Sequence, residues 1–141
     1  MKHWIRIVLT ALTALVGLTA VAGGAALVIG TVTPSTLGGI VPGNSFLGGS
    51  PFTSYLAPGL LLAVLVGGTH LTAAVLVGRG SRSGPLVAAV AGFGILIWIF
   101  VQMMFIPFSV LQAVYFAAGL AEVGLVLLGL GLLRRDQVVT P

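Results

Sequence analysis

The sequence predicts an all-α, antiparallel four-helix transmembrane bundle with an extracytoplasmic loop between helices 1 and 2. Three observations carry this. Charged residues make up only 6% of the chain, against roughly 25% in soluble domains. Hydrophobic residues make up 58%. Four apolar stretches each reach the about 20 helical residues needed to cross a hydrocarbon core about 30 Å thick. A soluble fold with so few charges would have almost nothing to cover its surface, whereas a lipid-facing one needs no such cover. The 141 residues suffice for a single domain.

The first span covers residues 7–29 and follows Lys2 and Arg6. A polar-flanked loop, residues 30–54, comes next; it is rich in Gly, Pro, Ser and Thr. It also holds Leu37, Ile40, Val41, Phe46 and Leu47, so it either caps the bundle at the interface or serves as a simple connector. The second span covers residues 55–78, with Pro58 tolerated in its first turn. The third covers residues 85–106 and opens on Pro85 after Ser83-Gly84. Pro107 breaks the chain before the fourth span, residues 108–133, so the last two should form a tight antiparallel hairpin. Trp4 and Tyr55 have the character of interface anchors.

Orientation follows from the positive charges. The net charge of +4 comes from six basic residues against two acidic ones. Lys2 and Arg6, then Arg79 and Arg82, then Arg134 and Arg135 flank the spans on one side. Residues 30–54 and the Pro107 turn carry no charge. Both termini are therefore expected in the cytoplasm, and a bias this strong argues against dual-topology insertion. The cations lie beside apolar runs, which points to the membrane surface and away from nucleic acid. A competing reading is a secretory signal, with Lys2, Arg6, an apolar run and Ala20-Val21-Ala22 as an A-x-A cleavage site. The apolar run continues past that site to Ile29, long enough to span.

Helices in lipid associate through small and polar residues. Each span carries such a stripe at steps of three or four: Thr10, Thr13, Gly17, Ala20 and Gly24 in the first; Ala63, Gly67, His70 and Ala74 in the second. Ala91, Gly94, Trp98 and Gln102 form the third, and Gln112, Tyr115, Gly119, Glu122, Val126 and Gly129 the fourth. These stripes should face one another.

Glu122 stands out, because a carboxylate at the centre of a spanning helix costs roughly 2.5–3.5 kcal/mol on the insertion scale. Intramembrane ionisable groups are functional candidates, although a structural carboxyl is the plainer alternative. His70 lies about 15 residues into the second span and Glu122 about 14 into the fourth, at matching depth for helices running the same way. The two are expected to meet near mid-membrane; otherwise His70 would bond to Thr69, Thr72 or a backbone carbonyl. Gln102 and Gln112 flank the Pro107 turn, with Trp98 and Tyr115 one turn deeper. They could line a polar and aromatic pocket, or simply hold the hairpin by a Gln–Gln contact.

Other chemistries find no support. With no cysteine, disulfides, thiolate metal sites and thiol nucleophiles are excluded. One buried His and one Glu are too few for zinc. There is no Ser/His/Asp set, no Walker A and no dinucleotide fingerprint. No cofactor is expected.

Ser50-Pro51-Phe52 with Tyr55 and Pro58-Gly59, Trp98 with Gln102, and Leu111-Gln112 with Tyr115 and Gly119 mark a resemblance over residues 50–133. In these the chain resembles a group of small, uncharacterised four-span membrane proteins of bacteria. The resemblance implies a bacterial inner-membrane protein and brings no activity with it. Small multidrug transporters are similar in size and span number, but they place their essential Glu in the first span, where this chain has none.

The expected function is that of a non-enzymatic membrane protein. It would bind a hydrophobic small molecule or lipid, or act as an accessory subunit with a membrane-protein partner or as a homodimer. The alternative is a proton-coupled transporter using Glu122 and His70. An intramembrane enzyme using this pair as acid and base would lack a nucleophile or metal.

Overall fold

The computed structural model describes residues 1–33 and 47–132. Four helices among them are long and apolar enough to cross a membrane: α1 (His3–Val32), α2 (Leu56–Gly78), α3 (Gly84–Met103) and α4 (Val110–Gly129). No strand occurs among the described residues. α1 is longer than its apolar run and passes unbroken through Ala20-Val21-Ala22, with Ala20 buried in the core. α4 is shorter than expected at both ends, and the reasons are local. Ser109 caps its start: its hydroxyl accepts from Gln112 N at 3.3 Å, while Gln112 Oε1 accepts from Ser109 N at 2.9 Å. This reciprocal capping box satisfies two otherwise orphaned donors. At the other end Gly131 adopts φ +79, and Leu132 N donates to Leu127 O at 3.1 Å. This left-handed cap closes the helix. Gly80, with φ +69, ends α2 in the same way, through Ser81 N to Leu76 O at 2.9 Å.

The contacts are antiparallel around a ring. α1 packs on α2 and α4, and α3 on α2 and α4; α1 and α3 barely meet, and α2 and α4 make no close backbone approach across the other diagonal. Glycines set the closest crossings. A Cβ added at Gly24 would lie 2.5 Å from Gly59 O, and one at Gly119 would lie 2.7 Å from Ile95 Cγ2. Without side chains at these points the backbones can approach, as small residues allow in lipid.

Outward faces are apolar: Leu15, Leu18, Phe93, Ile97, Phe100, Val114 and Leu120 are all exposed. So large an exposed apolar surface belongs against lipid. The interior holds two apolar clusters. Leu9, Ala73, Val77, Ala88, Ala91 and Val126 form one, and Val16, Ala20, Val66, Ile95 and Ile99 the other. The first lies toward the end carrying Lys2, Arg6, Arg79 and Arg82, here termed the basic end; the second lies toward the Pro107 turn, the turn end.

Two sequence expectations need correction. Gly94 is exposed with nothing near it, and Gly92 takes its place in the contact with α4. In a lipid-spanning helix, Ile95 and Ile99 can serve the core as readily as the lipid face, so they turned α3 away from the expected stripe. Tyr55 is only 4% exposed and lines a cavity, and this burial pushes its phenol above the usual value. Trp4, by contrast, remains exposed. Near the N-terminus, Arg6 Nη2 donates to His3 Nδ1 at 3.4 Å. Of the apolar loop residues, Leu37, Ile40, Val41 and Phe46 lie outside the described residues, as do Arg134 and Arg135. Leu47 is described and packs over the turn end with Ser50 and Phe52.

Candidate functional site

His70 and Glu122 meet between the two apolar clusters. His70 Nε2 lies 3.1 Å from Glu122 Oε2, and both side chains have zero exposure. They come from α2 and α4, so the contact bridges the diagonal that the backbones leave open. Gly92 makes room for this on α3: a Cβ there would lie 3.2 Å from Glu122 Cβ. On α1, Thr13 is fully buried and donates to Leu9 O at 2.8 Å.

Local backbone geometry orients the imidazole. Just before His70, α2 widens into a π-helical turn over Leu62–Gly67. Such turns are rare and are found often at functional sites. Val66, inside this turn, accepts from His70 Nδ1 at 2.7 Å and from Thr69 Oγ1 at 3.1 Å. A carbonyl has no proton to give, so Nδ1 carries one. The hydrogen bond from Nε2 to Oε2 then holds one further proton. It sits either on nitrogen, as imidazolium and carboxylate, or on oxygen, as imidazole and carboxylic acid. In both forms the pair is electrically neutral, which suits a dry interior where an unpaired charge is costly. Glu122 Oε1 is buried and has no partner. The pair expected from depth thus forms, and the backbone-carbonyl alternative is satisfied at the same time through the other nitrogen.

Gln102, Gln112, Trp98 and Tyr115 come together at the turn end. They line a cavity of about 250 Å³ with Ser109, and all four helices contribute to its wall. α1 gives Thr19, Ala20 and Gly23; α2 gives Leu62; α3 adds Ile95 and Ile99. Gln112 is held by the cap of α4, and no hydrogen bond joins it to Gln102 among the described residues. The Gln–Gln hairpin contact is therefore not made; the capping box takes its place. A second cavity of about 150 Å³ lies under Leu47, Phe52 and Tyr55 and shares Trp98, Gln102 and Ile106 as a common wall. Ligand pockets run from about 300 to 1,000 Å³ and combine mostly apolar walls with a few polar groups. The larger cavity falls just short of that size and has that character. Ile95 lines it and belongs to the apolar cluster with Val16 and Val66, and neither His70 nor Glu122 is part of its wall.

Sequence reasoning missed two contributors: Gly92 as the gap for Glu122, and the π-helical turn. No residue pattern announces a π turn. Among the described residues no group of three or more His, Cys, Asp or Glu could hold a metal. No family model, curated protein or solved structure matches the chain.

Proposed function

We propose that this is a multi-pass protein of the bacterial inner membrane, with both termini cytoplasmic, that binds a hydrophobic small molecule or lipid between its helices. The carrying observation is the turn-end cavity, which reaches all four helices and sets Gln102, Ser109, Gln112 and Tyr115 into an otherwise apolar wall beside Trp98. The orientation is supported by Lys2, Arg6, Arg79 and Arg82 sharing one end. Native mass spectrometry from nanodiscs, with the wild type beside Gly23→Leu, tests the reading. Gly23 lines the cavity, and a Cβ there meets only Leu62 Cδ2, at 3.7 Å. The larger side chain should fill the space and remove a bound molecule without disturbing the fold. A co-purifying membrane protein retained in both forms, with no small molecule in either, would instead favour an accessory subunit. Proton-coupled transport is the second reading, favoured by the buried His70–Glu122 pair. It predicts that Glu122→Gln abolishes transport while the helices stay assembled.

A further inference from the structure

We propose that the two turn-end cavities form one site for a neutral amphiphile, its carbonyl head in the larger cavity and its single hydrocarbon tail in the smaller. The proposal rests on the cavity reading above and adds the chemistry of the ligand and the part played by the second cavity.

The head follows from hydrogen bonds that the wall leaves unmade. Gln112 is only 5% exposed and lines the larger cavity. Its cap contact fixes which way the amide points: Ser109 N is a donor, so the atom facing it at 2.9 Å is the carbonyl oxygen. The amide nitrogen, with two N–H donors, then has no partner among the described residues. The Trp98 indole N–H, in the same wall, has none among them either. Gln102 and Tyr115 add an amide and a phenol, again without a hydrogen bond among the described residues. The wall groups of fixed role are therefore donors, and a ligand that satisfies them presents acceptors. No charged side chain stands in the wall of either cavity. A carboxylate or phosphate would be buried there without a counter-ion, and an ammonium head would meet the positive ends of the N–H groups. A neutral carbonyl oxygen avoids both costs and has two lone pairs with which to accept.

The tail follows from the second cavity, which is walled chiefly by apolar side chains such as Leu27, Leu47, Phe52 and Phe105. Trp98, Gln102 and Ile106 belong to both walls. Trp98 and Gln102 lie one turn apart on α3, and no hydrogen bond among the described residues holds either side chain. A change of rotamer at these two positions joins the spaces without breaking a bond. Neither cavity alone reaches the roughly 300 Å³ at which ligand pockets begin, but 150 and 250 Å³ taken as one exceed it. The smaller space leaves room for one short hydrocarbon chain.

Trp98 fluorescence reads the site in a Trp4→Phe background, where Trp98 is the sole tryptophan. Quenching is measured in nanodiscs with para-bromophenyl pentyl ketone and with para-bromohexylbenzene, which has a methylene in place of the carbonyl. Saturable quenching that Gly23→Leu removes marks occupancy of the cavity. The ketone should bind about tenfold more tightly than the hydrocarbon, the worth of a hydrogen bond to a donor otherwise left unpaired. Gln112→Met should bring the two probes level, with binding of the hydrocarbon retained as evidence of an intact cavity. Gln102→Met, which removes no side-chain hydrogen bond among the described residues, should lower the ratio as well. Para-bromophenylhexanoate, ionised at neutral pH, should bind more weakly than the ketone. Leu27 lines the smaller cavity and not the larger. Leu27→Phe should therefore weaken the pentyl ketone about tenfold by overpacking and leave para-bromoacetophenone unchanged. Equal binding of ketone and hydrocarbon by the wild type, a ratio unchanged in both glutamine variants, a carboxylate bound as tightly as the ketone, or an equal response of the long and short ketones to Leu27→Phe overturns the proposal and leaves the cavity reading standing. Failure of every probe to give quenching that Gly23→Leu removes overturns the cavity reading and the proposal together.

Discussion

The basic-end and turn-end halves of the bundle are both apolar inside but are filled by side chains of different size. Toward the basic end, small residues such as Ala73, Ala88 and Ala91 draw the helices around Leu9, Val77 and Val126, and the interior closes over His70 and Glu122. Toward the turn end, larger side chains stand on the same inner faces, among them Ile95, Trp98 and Tyr115, and a cavity of about 250 Å³ remains between them. The difference shows what small residues do in lipid. They do not bury more apolar area, which lipid would supply anyway, but allow close backbone approach and hence dispersion contact. At the turn end α1 and α2 still approach backbone to backbone through Gly24 and Gly59, and room for a ligand remains where Ile95, Trp98 and Tyr115 line the interior.

This contrast can be broken by substitution. The largest expected effect is at the pair: Glu122→Leu leaves His70 Nε2 buried without its partner and should destabilise the bundle by about 3 kcal/mol. Joint replacement of His70 and Glu122 by Leu should recover most of that loss, because nothing polar is then left unpaired. Equilibrium unfolding in mixed micelles, run as a double-mutant cycle, measures both. Gly92→Leu comes next. Its Cβ would lie 3.0 Å from Val123 Cγ2 and 3.2 Å from Glu122 Cβ, an overpacking cost of about 2 kcal/mol. The same change at Gly23, in the hollow half, should stabilise by roughly 0.5–1 kcal/mol, because a helical glycine is replaced where space exists. Gly94→Ala should have the smallest effect, a gain of under about 1 kcal/mol, since that position is exposed and touches nothing. A Gly23→Leu variant as destabilised as Gly92→Leu would show that the two halves are equally tight in the membrane.

Much of this was legible in the sequence, for identifiable reasons. Length and hydropathy set the spans, because the bilayer imposes both. The meeting of His70 and Glu122 followed from counting residues along helices of fixed rise. Gln112 and Tyr115 were correctly placed near the turn end because Pro107 marked it. What the sequence hid was rotation about the helix axis. In water, an isoleucine on one face says which way is in; in lipid it does not, and Ile95 and Ile99 turned α3 away from Gly94. Tyr55 was misread for a related reason. A tyrosine at a span boundary fits both the interface and the shelter of a folded loop, and Leu47, Ser50 and Phe52 decide it by lining the cavity with it.

The π-helical turn at Leu62–Gly67 bears on how this chain tolerates insertions and deletions. Removing one residue from an α-helix rotates everything beyond it by about 100°, which in α1, α3 or α4 would swing half of an inner face into lipid. α2 stores surplus length in its wide turn. Loss of a single codon there can be absorbed by tightening to ordinary helix, with Gly59 and Ala74 keeping their places on either side. The carbonyl of Val66 that holds His70 would be redrawn in the process. Length variants within this short stretch should therefore be compatible with assembly of the bundle while altering the imidazole, so that the fold and the site can diverge independently at one point in the gene.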